Sequence, residues 1–448
     1  MSARRFFSEA AWLGGHGAAP DVVVEVADGV ITAVRPGAER PRDATVLPGL
    51  VLPGLANAHS HAFHRALRGY THRGGGSFWT WREDMYALAA ALTPESYFAL
   101  ARATFVEMAL AGVTCVGEFH YLHHGRGGVP YGEPNLIGEL LIAAAGAAGI
   151  RITLLDTCYL QGGFDRPLEG VQLRFGDGDA DAWAARTDAL RGSDHARVGA
   201  AIHSVRAVPA AQLSVVAEWA REHDAPLHVH LSEQRAENEA CHAAHGVSPT
   251  RLLERHGALG PRSCAVHATH LESEDIAALG VTHTTVCLCP TTERDLADGI
   301  GPARALLAAG APLSLGSDSH AVIDPFEEAR AVELDERLAS ESRGHFSAQA
   351  LLRAATVDGH ACLGWPAAGQ IAPGAPADLV AVALDSVRLA GARPDTLLES
   401  VIFAAGAADV REVIVGGELV VSGGRHLRVP DVVGELNGVI RALRAVRA

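Results

Sequence analysis

Two histidine pairs and one aspartate carry the most legible chemistry. His59-Ser60-His61 repeats imidazoles at a period of two, so an extended strand puts both on one face within reach of one ion. His228-Val229-His230 repeats the pattern, and Asp318 stands in Gly316-Ser317-Asp318-Ser319-His320 after another apolar run. Three histidines and a carboxylate suit Zn2+, with Fe2+ or Mn2+ able to use the same donors. Water on such an ion has its pKa lowered to near neutral. Asp318 can bind the ion and accept the water's proton. Glu233, three residues past His230, can carry a proton to a leaving group. His267 either hydrogen-bonds the polarised substrate atom or ligates a metal, and His270 reads as a supporting residue.

Other residues speak to the substrate. Phe78-Trp79-Thr80-Trp81-Arg82-Glu83 reads as an amphipathic lid or as a helix start with two core tryptophans. Tyr121 follows Glu118-Phe119-His120 and can donate to a carboxylate. His203-Ser204-Val205-Arg206 brings a second arginine. Arg82 and Arg206 converging on a metal pocket, in a chain of net charge −15, imply a dicarboxylate or similarly acidic small molecule.

The elements that must position these groups recur along the chain. Eight short β-rich runs, at 52–61, 112–120, 151–159, 197–204, 226–233, 263–270, 284–290 and 312–320, are each followed by a helical stretch. Thr93-Pro94-Glu95 opens one of these helices, with Thr as N-cap and Pro at the first position. Eight strand–helix repeats predict an α/β fold, a (β/α)8 TIM-like barrel. Polar residues gather at the ends of the runs: His59 and His61, Glu118 and His120, Asp156, His203, His230 and Glu233, His267, Asp318. In such a barrel they ring one cavity at the C-terminal face. Residues 1–50 and 366–448 hold hairpin signals at Asp28-Gly29 and Gly416-Gly417. They predict a small β-sandwich module built from both terminal segments around a barrel at 51–365.

Composition excludes several alternatives. All 37 basic residues counted as Lys or Arg are Arg, so Schiff-base, pyridoxal and Walker-type lysine chemistry is out, as is a carboxylated lysine bridging two metals. One metal per subunit is the expectation. The acidic balance and lack of a basic run argue against nucleic acid or an anionic membrane as partners. The seven cysteines form no CxxC pair and read as buried free thiols, which fits a reducing, cytoplasmic setting. The N-terminal residues lack a long apolar stretch of the secretory kind, and no apolar run reaches the ~18–20 residues of a membrane span.

The segments HSHAFHRA, SFWTWRE, GEFHYLHH, HSVRAV, HVHLSEQ, VHATHL, CPTTERDLADG and GSDSH together resemble the formimidoylglutamate deiminases of the amidohydrolase superfamily, over nearly the whole chain. The resemblance implies a β/α barrel with a small β module, one zinc, and usual homodimerisation. It implies hydrolysis of N-formimidoyl-L-glutamate to N-formyl-L-glutamate and ammonia, a step in histidine degradation. Carried over, His59, His61, His230 and Asp318 are ligands, and Glu233, His267 and Asp318 are the catalytic groups. Arg82, Tyr121, His203 and Arg206 match substrate-binding positions, with the arginines on the carboxylates. His64 also falls at a substrate-binding position, where the resemblance leads one to expect Gln. The reading left beside this one is another aminohydrolase of the superfamily, acting on a purine or other heterocycle.

Overall fold

The computed structural model describes residues 4–72 and 75–447. The N-terminal segment supplies β1 (Arg4–Trp12), β2 (Ala18–Ala27), β3 (Val30–Arg35), β4 (Thr45–Val46) and β5 (Leu50–Pro53). The eight β-rich runs then appear as β6 (Leu55–Ser60), β7 (Val113–His120), β8 (Arg151–Cys158), β9 (Ala196–Ile202), β10 (Leu227–Leu231), β11 (Ser263–His267), β12 (Thr285–Leu288) and β13 (Leu313–Leu315). They pair in parallel in that order. Helices between them cover the outside, so this is the expected α/β barrel. Later residues add β14 (Leu379–Val382), β15 (Val410–Val415), β16 (Glu418–Ser422) and β17 (Arg425–His426).

The barrel closes between its first and last strands, just where ligand chemistry was expected. A parallel bridge joins Ser60 to Asp318. The Asp318 N–H donates to the His59 carbonyl at 3.0 Å, and the His61 N–H to the Asp318 carbonyl at 3.2 Å. Below them Asn57 accepts from the Ser317 N–H at 2.9 Å and donates to the Ser317 hydroxyl at 2.7 Å.

Strand alternation decides which residues reach the cavity. On β7, Phe119 packs its ring against His59, His61 and His230, so it faces inward. Its neighbours Glu118 and His120 therefore face the helical layer, and Asp156 of β8 does the same. The expectation that these three ring the cavity is thus overturned. Glu118 instead accepts from the Ser60 hydroxyl at 2.6 Å and the Ala62 N–H at 2.7 Å, bracketing the first two histidines from behind.

The terminal segments share a second sheet, ordered β17-β16-β15-β14-β5-β1-β2-β3, with β4 beside β1. Both predicted hairpins form. Asp28 and Gly29 (φ 51° and 79°) and Gly416 and Gly417 (57° and 76°) are left-handed, as a two-residue turn of this hand requires. The sheet curls until the turns meet: a Cβ on Gly29 would lie 3.2 Å from the Gly416 carbonyl oxygen. Phe6, Val24, Leu379 and Ile414 pack in its own core. The chain enters the barrel at Gly54, where a Cβ would collide with Thr114. Helices α1 (Phe78–Ala91) and α2 (Pro94–Leu110) follow β6, with Thr93 capping α2 and Pro94 at its first position as predicted. The helix Val432–Arg447 packs back on α2, with Arg102 and Glu435 paired at 2.7 Å. Among the described residues no helix is long and apolar enough to cross a membrane.

Asp156 belongs to a buried ion cluster outside the barrel wall. Arg186 directs N–H groups at Asp156, Asp177 and the Asn135 side chain, making five hydrogen bonds of 2.7–2.9 Å. Those five bonds use the donor capacity of a guanidinium. Burial alone would raise the Asp156 pKa, but the Arg186 charge outweighs it and holds the group at about 2, below the ordinary 3.8. A depressed carboxylate stabilises the fold fully above its unfolded value and loses that contribution as pH falls through the folded one. Stability is therefore expected to fall between about pH 4 and pH 2. Arg186→Met should cost about 3–5 kcal/mol, because it strands two buried carboxylates. Urea unfolding of the variant at neutral pH, and of the parent across the acid range, checks both.

Candidate active site

The four expected ligand side chains converge at the closed mouth. His59 Nε2 lies 3.1 Å from His230 Nε2, and His61 Nε2 lies 3.3 Å from it. Asp318 Oδ1 lies 3.3 Å from both His59 Nε2 and His61 Nε2. A tetrahedral ion with bonds of about 2.0–2.1 Å separates its donors by about 3.3–3.4 Å. The tautomers agree. His61 Nδ1–H donates to the Phe119 carbonyl at 2.9 Å and His230 Nδ1–H to the His203 carbonyl at 2.8 Å, so each Nε2 presents a bare lone pair to the centre. Burial, reinforced by neighbouring histidines, pushes His59, His61 and His230 well below the usual imidazole range and keeps them neutral. The lone pairs of His61 and His230 face one another across 3.3 Å with no proton to share, and a divalent cation is what this donor set fits.

His228 does not join them. It faces the same way on β10 but lies deeper, with Nε2 on the Cys362 carbonyl at 3.0 Å.

His267 stands beside the cluster. Its Nδ1 contacts Glu293 at 3.3 Å, while its Nε2 faces Glu233 at 3.7 Å and Asp318 Oδ2 at 3.9 Å. Burial alone would depress His267, but Glu233, Glu293 and Asp318 raise it well above the ordinary value. Burial pushes Glu233 up to about 7, with Asp318 acting in the same direction and His267 opposing it. Behind Glu233 lies Asp298, raised to about 9 by burial and by the Glu233 charge. Ser232, His267, Ala268, Asp318 and His320 all have positive φ, from 39° to 69°. Such residues each cost of order 1–3 kcal/mol and persist only where their surroundings hold them. Here they cluster at the strand ends that aim the site.

The remaining expected residues line one cleft of about 550 Å³, open mouth included, together with His61, His230 and Asp318. Residues 78–83 resolve as the start of α1. Phe78 is buried, and Arg82 lies over the rings of Trp79 at 4.6 Å and Tyr86 at 5.4 Å. Arg206 lines the same cleft, its Nε–H on Glu237 at 2.7 Å. Tyr121 and His64 are joined, hydroxyl to Nε2, at 3.0 Å. The His203 ring packs 4.4 Å from Tyr159. Burial keeps Tyr121 protonated and His64 and His203 neutral, so these groups offer hydrogen bonds without charge. His270 stays off the cleft wall. Sequence reasoning missed Glu237, Glu293 and Asp298. Glu237 also accepts from the Ser232 N–H at 3.1 Å, tying Arg206 to the turn that carries Glu233.

A model described as the amidohydrolase family matches residues 50–420. The chain belongs to that family. It is 39% identical over 440 residues to the formimidoylglutamate deiminase of Pseudomonas aeruginosa, covering 94% of this chain and 95% of the relative. The crystal structure of an amidohydrolase from Brucella melitensis superposes with a TM-score of 0.91 at 35% identity, over 98% of this chain and all of the other. An adenosine deaminase from Xanthomonas campestris, solved with bound zinc, superposes at 0.86 and 24% identity over 99% and 98% of the two chains, a likeness of fold alone. This amidohydrolase is thus a hydrolase built around a divalent-metal centre.

Glu118 gives a test of that centre. It accepts from the Ser60 hydroxyl and the Ala62 N–H on either side of His61 and is not one of the clustered donors, so Glu118→Ala should weaken metal affinity about 10–100-fold, the usual effect of removing a ligand's support. Competition against a chromogenic chelator reads the change.

Proposed function

We propose that this amidohydrolase hydrolyses N-formimidoyl-L-glutamate to N-formyl-L-glutamate and ammonia, in histidine degradation, with one Zn2+ per subunit. The observation that carries the reading is the pairing, in one cleft, of a candidate metal-ligand cluster with two guanidinium groups. The curated relative at 39% identity supports it independently. A linear substrate with an amidine at one end and two carboxylates at the other matches that division. Arg82 and Arg206 bind the carboxylates, with Tyr121 and His203 donating alongside and His64 steadying Tyr121.

His59, His61, His230 and Asp318 would hold the ion, which when bound would supply a nucleophile by lowering the pKa of coordinated water. Asp318 Oδ2 is placed to accept a proton at the centre of the cluster. His267 hydrogen-bonds the tetrahedral centre through Nε2, its ring fixed by Glu293. Glu233, at about 7, hands a proton to the nitrogen that leaves as ammonia. Phe78, Trp81, Tyr159 and Phe175 wall the cleft with rings and exclude bulk water. We also read the enzyme as a cytoplasmic homodimer. Its seven free cysteines, all buried, suit a reducing compartment.

A purine aminohydrolase is the competing reading, and a neutral heterocycle has no use for two converging arginines. Ammonia release should be measured with N-formimidoyl-L-glutamate, guanine and adenosine. Turnover of the first alone is expected, and preference for a purine overturns the proposal. Glu233→Gln should lower kcat by roughly 10²–10⁴ with metal content unchanged, the range for loss of a general acid or base. Arg82→Ala and Arg206→Ala should act mainly on KM for the dicarboxylate. Steady-state kinetics with unaltered KM in both would reject the anion-binding role.

A further inference from the structure

The second half of the His-x-His pair on β10 remains without a function at the mouth. His228 lies two residues before His230 on the same face, about 6.6 Å deeper in the barrel. Cys264 is its registered partner on β11. Cys362 ends the helix Val357–Cys362, which meets β6 and β13. One donor atom from each of these three residues lies within 4.8 Å of the others, and all three side chains are buried. One nitrogen of the imidazole is uncommitted. Its Nε2–H donates to the Cys362 carbonyl at 3.0 Å, which leaves Nδ1 with a lone pair. That atom is buried and has no hydrogen-bond partner among the described residues.

We infer that His228, Cys264 and Cys362 form a second metal site, for a soft divalent ion of the zinc class, one layer below the catalytic cluster. Sulfur and imidazole donors select against hard cations such as Mg2+ and Ca2+. Binding breaks two S–H bonds, forms two metal–sulfur bonds and releases two protons to solvent. Two thiolates and a divalent ion then sum to zero charge. Neutrality is what the surroundings demand, since Ala58, Val266 and Leu363 pack around the site and supply no counter-charge. A tetrahedral ion of this class places sulfur and nitrogen donors about 3.6–3.8 Å apart, so the site closes by no more than about 1 Å from the present limit. Because the ion is enclosed by strands and a helix, it enters as the chain folds and resists chelators afterwards. It would brace the strand that carries His230 from beneath.

The test uses full-length protein grown with added Zn2+, dialysed exhaustively against a chelator, with metal per chain measured by mass spectrometry. His61→Ala, which damages only the upper cluster, should retain about one equivalent. The double variant Cys264→Ala/Cys362→Ala should retain about one equivalent fewer than the parent. Protein grown with Cd2+ should show ultraviolet sulfur-to-metal absorption in the parent and in His61→Ala, and not in the double variant. If the double variant does not fold, His228→Gln should lose the same equivalent and the same absorption. Metal-free His61→Ala, or equal retention by the parent and the cysteine variant, overturns the inference.

Discussion

The structure depends on how the barrel closes. β13 is short, and it meets β6 through a single parallel bridge and two backbone hydrogen bonds, with the Asn57 amide stitching below. The same few residues supply three of the four ligand atoms of the metal cluster. A polar seam between two strand ends would otherwise be the weakest part of the wall. Here His59, His61 and Asp318 bring donor atoms from both sides of the seam to within 3.3 Å of one another or of His230, while Glu118 accepts from the Ala62 N–H beside His61. Two of the five strained residues, Asp318 and His320, lie at this seam, and the other three follow or end β10 and β11. The surroundings that hold the strain are the walls of the site itself.

The second organising constraint is the separation of charge within the cleft. Its floor is crowded with carboxyl groups: Asp318, Glu233, Glu293 and Asp298 surround one imidazole, His267. Its rim carries the guanidinium groups, one resting on aromatic faces and one tied to Glu237. In a chain of net charge −15, an anionic molecule gains nothing from the overall field, so its attraction must be local. Glu237 weakens the charge of Arg206 but fixes where it points, and geometry of that kind discriminates between ligands more sharply than charge alone.

Much of this was legible in the residues. Alternating apolar runs and capped helices marked the barrel, and Asp28-Gly29 and Gly416-Gly417 marked the hairpins, because these patterns depend on local conformation. The convergence of His59, His61, His230 and Asp318 was legible because these residues lie at or just past strand ends. What stayed hidden depends on register. Glu118, His120 and Asp156 also end strands, and one step of alternation turns them into the helical layer. His228 and His230 share a face but differ in depth, which spacing alone does not reveal. Glu237, Glu293 and Asp298 sit in helices or loops where an acidic residue is unremarkable. Their significance comes from Arg206, His267 and Glu233, which approach from other parts of the chain.

The curled sheet shared by the terminal segments has a consequence for synthesis on the ribosome. β5 needs β14 as its neighbour, and about 320 residues lie between Pro53 and Leu379. At roughly 5–20 residues per second, an emerging chain keeps the apolar edge of β5 uncovered for roughly 15–65 s. Throughout that interval the barrel must form behind an incomplete, aggregation-prone strand surface. Chaperone demand and truncation products should therefore track the delay before the last hairpin leaves the exit tunnel, more than any weakness in the finished enzyme.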